Sequence, residues 1–156
     1  MTKISGPKIV PFLWFNDKAE EAMNFYCSIF KNSKAGNVAR GPDGKVFSAT
    51  FNLEGQEFYA LNGGPHFSFT PAISFFVNCE TQEEVNELWE KLLQGGEESR
   101  CGWLKDKYGL SWQIIPKILG ELMGDKDREK ANRVTQAMLK MNKIDSKLLQ
   151  EAYDGK

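Results

Sequence analysis

Apolar and polar positions along this chain follow the same order twice: a short apolar run, a helical stripe, then alternating stretches. In the first round Ile9 to Phe15 is an aromatic-rich run of strand length. Asp17 stands at the expected helix start, where it can accept from the free N–H groups of the first turn, and Glu20 follows as in a capping box. Ala19, Ala22, Met23, Tyr26, Ile29 and Phe30 then fall on one helical face. Asn32 to Gly36 closes that helix, and Asn37 to Arg40 is a short strand candidate. Gly41-Pro42-Asp43-Gly44 is a turn by composition. Val46 to Leu53 alternates, with Phe47, Ala49, Phe51 and Leu53 on one face and Ser48, Thr50 and Asn52 on the other. Glu54-Gly55 reverses the chain and Gln56 to Asn62 returns as the second arm of a hairpin, broken by Gly63-Gly64-Pro65.

The second round begins with the strand Ala72 to Asn78. Thr81 and Glu84 form a capping box, and Val85, Leu88, Trp89, Leu92 and Leu93 make the helical stripe. Gly95-Gly96 ends it, Glu98 to Lys105 reads as one or two strands, and Leu110 to Ile115 is a last strand stopped by Pro116. The two strand-then-helix units lie roughly 62 residues apart, the signature of an internal repeat. This predicts an α+β fold of two β-α-β-β-β modules, at about 8–63 and 71–116, within a single domain spanning 1–156. The remainder, 117–156, is a helical extension: Ile118 to Met123 first, then a stripe of Ala131, Val134, Met138 and Met141. A last helix, capped by Asp145, carries Leu148, Leu149, Ala152 and Tyr153. These stripes need cover from the main body or a second subunit.

Composition narrows the class. Lys and Arg total 20 against 21 Asp and Glu, a formal net charge of −1, so neither nucleic acid nor an anionic membrane is an expected partner. No apolar run reaches the length of a membrane span, and Met1 to Lys8 lacks the apolar stretch of a secretory signal. The three cysteines, Cys27, Cys79 and Cys101, are far apart and odd in number, which fits reduced thiols in the cytoplasm. His66 is the only histidine and lies in a Gly/Pro-bounded loop.

These residues carry a family resemblance. Val10-Pro11-Phe12-Leu13-Trp14-Phe15-Asn16-Asp17, followed by Ala19-Glu20-Glu21-Ala22 and Phe25-Tyr26, resembles the start of PhnB-like proteins of the glyoxalase/bleomycin-resistance (vicinal oxygen chelate) superfamily. Phe75-Phe76-Val77-Asn78 with Glu83-Glu84 and Leu88-Trp89 resembles the entry to its second module. Asp106-Lys107-Tyr108-Gly109 leading to Ser111-Trp112-Gln113-Ile114 is similar to its last turn and strand. Arg133-Val134, Ala137 to Met141 and Lys143-Ile144-Asp145 are similar to the family's C-terminal extension. The resemblance implies that the two modules form an open, cupped sheet and that subunits pair as a homodimer. It also brings a common label, 3-demethylubiquinone-9 3-methyltransferase-like.

In its enzymes the superfamily places a divalent metal in the cup, held from the first and last strands of each module. Here those positions are Val10, Ala72, a residue near Tyr59 or Ala60, and Gln113, and only Gln113 is a donor. No metal and no cofactor are therefore expected. The methyltransferase label meets a similar obstacle. Gly63-Gly64 and Gly95-Gly96 do not open a strand-turn-helix unit of the kind that cradles S-adenosylmethionine.

Strand alternation places Val10, Phe12 and Trp14 on one face, with Ala72, Ser74 and Phe76, and Ser111, Gln113 and Ile115, on the corresponding faces of other strands; Asn62, Trp103 and His66 fall at the rim. This set describes either an aromatic-lined small-molecule pocket with a few polar handles or a filled core. Phe12, Trp14, Asn62, Ser74, Phe76, Trp103 and Gln113 are the candidate ligand contacts. Cys79, just before the second helix, is a minor candidate nucleophile, and Cys27 reads as packing. The expected function is small-molecule binding without a catalytic metal. The alternatives are a metal-dependent lyase, isomerase or dioxygenase, and an interaction protein using its C-terminal helices.

Overall fold

A computed structural model describes residues 4–156; the start of the Met1 to Lys8 stretch lies outside the described residues. The chain divides into two compact units, Met1–Phe69 and Thr70–Lys156. The first contains β1 (Phe12–Phe15), α1 (Ala19–Ile29), β2 (Ser33–Arg40), β3 (Val46–Leu53) and β4 (Gln56–Asn62). Its sheet order is β1-β4-β3-β2, with β1 parallel to β4 and the other neighbours antiparallel. The second repeats this plan with β5 (Ser74–Cys79), α2 (Gln82–Leu93), β6 (Glu97–Glu98), β7 (Trp103–Lys105) and β8 (Ser111–Pro116), ordered β5-β8-β7-β6 with β5 parallel to β8. It continues into α3 (Lys117–Met123), α4 (Arg128–Met138) and α5 (Ser146–Asp154). The predicted pair of modules and helical tail are thus the observed elements.

In the first unit the period-2 pattern sorts side chains as expected. Leu13, Phe15, Ala49, Phe51, Leu53, Phe58 and Ala60 are buried, as are Ala19, Ala22, Met23, Tyr26 and Ile29 of α1. The Phe51 and Phe58 rings stack at 5.3 Å, and Tyr26 stacks on Phe51 at 6.2 Å. Each such side chain contributes about 1.5–3 kcal/mol on burial. Phe47 departs from its predicted face-mates: it is 60% exposed at the start of β3.

Three boundaries differ from expectation. β1 begins at Phe12, not Ile9, because the parallel ladder starts with the Tyr59 N–H donating to Pro11 O (2.9 Å); Ile9 is exposed. β2 begins at Ser33, because Ser33 already pairs with Leu53, and a bulge between Ala35 and Val38 accommodates the glycine. A Cβ on Gly36 would stand 2.5 Å from Thr50 Oγ1, so only glycine fits that close approach. The Asp17 capping box is absent. Lys18 is the N-cap residue with no side-chain cap bond, and the Ala19 N–H donates to Asn62 Oδ1 at 2.8 Å. The Asn62 amide also donates to Val46 O at 3.2 Å. The cap comes from a strand end far away in sequence because Asp17 stands one position too early.

The second unit keeps its predicted cap. Thr81 Oγ1 accepts from the Glu84 N–H (3.2 Å), and the Glu84 carboxylate accepts from the Glu80 N–H (3.0 Å). Asp127 and Asp145 each accept two N–H groups at the starts of α4 and α5. The tail stripes are covered within their own unit. Ile115 and Leu119 form one buried cluster with Val134, Ile144 and Leu149. The Cys101 and Gly102 N–H groups donate to Met141 O and Asn142 O, and Gln82 bonds both Ile144 O and the Ser146 N–H.

The turn between β7 and β8 is organised by Asp106, which is 2% exposed. Its Oδ1 accepts from the Tyr108 and Leu110 N–H groups, and its Oδ2 accepts from Trp112 Nε1 at 2.9 Å. Asp106→Ala leaves three donors without their acceptor and is expected to cost about 2–4 kcal/mol. Asp106→Asn turns an acceptor into a donor facing one of these N–H groups and should also destabilise. Urea unfolding of the two variants checks this; an unchanged midpoint for Asp106→Ala contradicts it.

Candidate functional site

The predicted contact residues of the second unit meet on one sheet face. The register aligns Phe76 with Gln113 across β5–β8, and Gln113 with Trp103 across β8–β7. Ser74, Ser111 and Lys105 form the next row on the same face. The opposite face carries Leu104, Trp112 and Ile114, all buried, and α2 supplies Val85, Leu88, Trp89 and Leu92 to the same core. Phe76 is 53% exposed, while Trp103, Gln113 and Lys105 are half-buried. The Gln113 amide donates to Ser74 Oγ at 2.9 Å. Ile115, predicted on this face, is instead buried under the tail helices, and Ser111 is buried as well. Ala72 precedes β5 in a turn, its N–H bonded to Thr70 Oγ1, and so leaves the row.

In the first unit Phe12 and Trp14 alternate with buried Leu13 and Phe15. Phe12 is exposed and meets Tyr59 edge-on at 6.2 Å. Trp14 is pinned: its indole N–H donates to Gly64 O at 3.0 Å and its ring meets Phe67 edge-on at 5.0 Å. A Cβ on Gly63 would stand 2.2 Å from that indole, so glycine is required where the loop crosses it. Asn62 alternates with Phe58 and Ala60 and turns toward α1, so the structure does not bring it together with Phe12 and Trp14. His66 is exposed in the following loop.

A cleft of about 1140 Å³ that the sequence did not signal lies beside the start of α1, lined by Asp17, Glu20, Arg40, Lys45, Phe47 and Asn62 among others. Among its lining residues Arg40 and Glu20 form an ion pair at 3.0 Å, with side chains 52% and 36% exposed. The charges come from the helix start and the β2–β3 turn, which pattern reading treats as solvated surface.

The residues do not fit the metal that the superfamily's enzymes hold. The open faces offer Phe12 and Trp14 on β1, Glu57 and Tyr59 on β4, Ser74 and Phe76 on β5, Glu97 on β6 and the amide of Gln113 on β8, so each sheet face carries one carboxylate and no imidazole. Among the described residues no three His, Cys, Asp or Glu side chains gather where they could hold a metal ion. Cys79 is no better as a nucleophile. It is 1% exposed, and burial, reinforced by the Glu84 charge, pushes its thiol up to about 12. The helix start beside it does not offset that desolvation. Burial raises the Cys27 thiol also.

Two four-stranded sheets, each pairing its first strand in parallel with its last, define an α+β protein of the glyoxalase-fold class. The chain belongs to the family described as 3-demethylubiquinone-9 3-methyltransferase, whose model matches residues 7–115. It is similar to a PhnB protein from Bacillus cereus, described with the same methyltransferase name, at 42% identity over 70% of this chain and 99% of that one, with a TM-score of 0.67. The fold is shared with the fosfomycin resistance protein FosX from Listeria monocytogenes (18% identity, 70% and 90% covered, TM-score 0.52). It is also shared with a glyoxylase/bleomycin resistance protein/dioxygenase domain from Frankia sp. EAN1pec (15% identity, 81% and 97% covered, TM-score 0.52). No curated protein matches the chain. The glycine pairs do not supply the turn that the methyltransferase name calls for: Gly63-Gly64 leaves β4 for a loop, and Gly95-Gly96 follows α2.

The Cys79 environment gives a check on this assignment. Iodoacetamide at pH 8 should label Cys27 and Cys101 in the native protein and reach Cys79 only after unfolding; rapid native labelling of Cys79 would contradict its burial. The folded thiol titrates above its ordinary value of 9.0. Its stabilising contribution is therefore complete below that value and is lost as pH rises from 9 toward about 12. The difference in unfolding free energy between wild type and Cys79→Ala should shrink across that window.

Proposed function

We propose that this chain is a PhnB-like small-molecule-binding protein that works without a divalent metal. The observation that carries this reading is the Phe76–Gln113–Trp103 row beside Ser74, in which exposed Phe76 and half-buried Gln113 and Trp103 put aromatic surface and neutral polar groups on one sheet face. Phe12 gives the first unit a similar exposed aromatic, while Trp14 shapes its surroundings. FosX is described in complex with Mn(II). A metal-dependent reaction of that kind is disfavoured here by the donor set, in which the Gln113 carbonyl is a weak donor and no three His, Cys, Asp or Glu side chains gather among the described residues. The two modules and the tail act as one functional domain, and the protein works in the cytoplasm as a homodimer. Three free cysteines support the compartment, and among the described residues no helix is long and apolar enough to cross a membrane.

Native mass spectrometry with elemental analysis of the purified protein tests this reading. The expected result is a dimer mass, a co-purified or readily added small molecule, and no stoichiometric transition metal. Excess Mn(II) should raise the melting temperature by less than about 1 °C, since a ligand without a site gives no linkage. A bound metal that is lost in Gln113→Ala would overturn the metal-free assignment and favour the lyase, isomerase or dioxygenase class.

A further inference from the structure

We propose that the exposed face of β5, β8 and β7 takes a flat aromatic anion carrying a hydroxyl beside its carboxylate, the hydroxybenzoate class of compound. This deepens the small-molecule reading above and rests on it. Three features of the face select the ligand. Phe76 and Trp103 flank Gln113 on neighbouring strands, which places their backbones roughly 10 Å apart at the usual strand spacing. Two aromatic side chains set either side of an amide favour a flat, polarisable ring over an aliphatic one.

The second feature is the Gln113–Ser74 pair, joined at 2.9 Å. The amide donates to the hydroxyl, so the Gln113 carbonyl oxygen keeps an acceptor site and the Ser74 O–H keeps its hydrogen. With the amide turned the other way, the pair still presents one donor and one acceptor. A ligand edge with a hydroxyl next to a carboxylate oxygen matches that pairing. The third feature is Lys105, one row away from Gln113 on the same face and engaged in no ion pair among the described residues. Its ammonium, which stands opposite Glu97 of β6 without pairing to it, is left to meet a negative charge on the same side as the Ser74 hydroxyl. The first unit offers no equivalent. Its Trp14 N–H is committed to Gly64 O, and the Asn62 amide is committed to Ala19 and Val46.

Salicylate is the probe, compared with benzoate, salicylamide and cyclohexanecarboxylate by two-dimensional NMR of the full chain. Salicylate should shift the Trp103 indole N–H and the Gln113 side-chain amide saturably. Benzoate lacks the hydroxyl and salicylamide the charge, and each should bind about tenfold more weakly, the worth of one charge-assisted or well-placed hydrogen bond; cyclohexanecarboxylate lacks both the hydroxyl and the flat ring and should bind more weakly than benzoate. Gln113→Leu and Lys105→Ala should each weaken salicylate by a similar factor. Phe76→Ala, at an exposed position, guards against loss of folding and should weaken the three aromatic probes together. Equal binding of cyclohexanecarboxylate, or salicylate shifts confined to the first unit around Arg40 and Lys45, overturns the inference and leaves the small-molecule reading in place. Absence of any saturable salicylate shift also overturns it. In that case a mixed fragment set on the same sample decides the broader reading: a binder keeps it, and silence from every fragment removes both.

Discussion

Each half of this protein depends on a parallel pairing between its first strand and its last. β1 lies beside β4 from Phe12 opposite Tyr59 to Phe15 opposite Asn62, and β5 lies beside β8 from Ser74 opposite Ser111 to Cys79 opposite Pro116. A parallel pair cannot be closed by a tight turn and needs a long crossover. In each unit that crossover carries the helix, which then seals one face of the sheet. Sealing one face leaves the alternate side chains on the other. The helix side takes Leu13, Phe15, Trp112 and Ile114, and Phe12, Phe76 and Gln113 stay accessible. A shift of one residue in this pairing would exchange the two sets.

The same pairing explains why two positions that look interchangeable in the repeat have different roles. Asn62 ends β4 beside Phe15 and reaches the start of α1, where it supplies the cap that Asp17 does not. Its counterpart at the end of β8 is Pro116, which pairs with Cys79 and leads directly into α3. The second unit caps its helix locally through Thr81 and uses the end of β8 to carry the tail. The tail in turn buries Ile115 and so shortens the accessible part of β8 to Gln113. The family match ends at residue 115, so this covering is provided by a segment outside the matched span.

The open face of the second sheet is chemically plain. It has neutral hydrogen-bonding groups between aromatic surfaces, one lysine opposite one glutamate at its β7–β6 edge, and no imidazole. Under the proposed reading such a face would select for shape, planarity and a polar edge. It is poorly suited to Lewis-acid chemistry, because an amide oxygen and a hydroxyl are weak ligands and no imidazole stands with them. The buried Cys79 thiol and the pinned Trp14 show the same economy: both sit where chemistry was conceivable, and both are held in packing or hydrogen bonds.

Pattern alone reached the elements and their repeat, because burial of one face of a strand or helix writes its period directly into the sequence. It also reached the Thr81 and Asp145 caps, which are local, and the grouping of Ser74, Phe76 and Gln113, which follows from alternation once two strands are parallel neighbours. It placed Asp17 as a cap and extended β1 to Ile9, because a distant Asn62 and the start of a ladder leave no local mark. It put Ile115 on the open face, since nothing in a strand shows that a tail some thirty residues on will cover it. It had no means of assigning three N–H groups to Asp106 or of lifting the Cys79 thiol, both consequences of burial. The sequence by itself determined which faces are apolar; only the tertiary structure decided which of those faces are covered, because cover is supplied by residues remote along the chain.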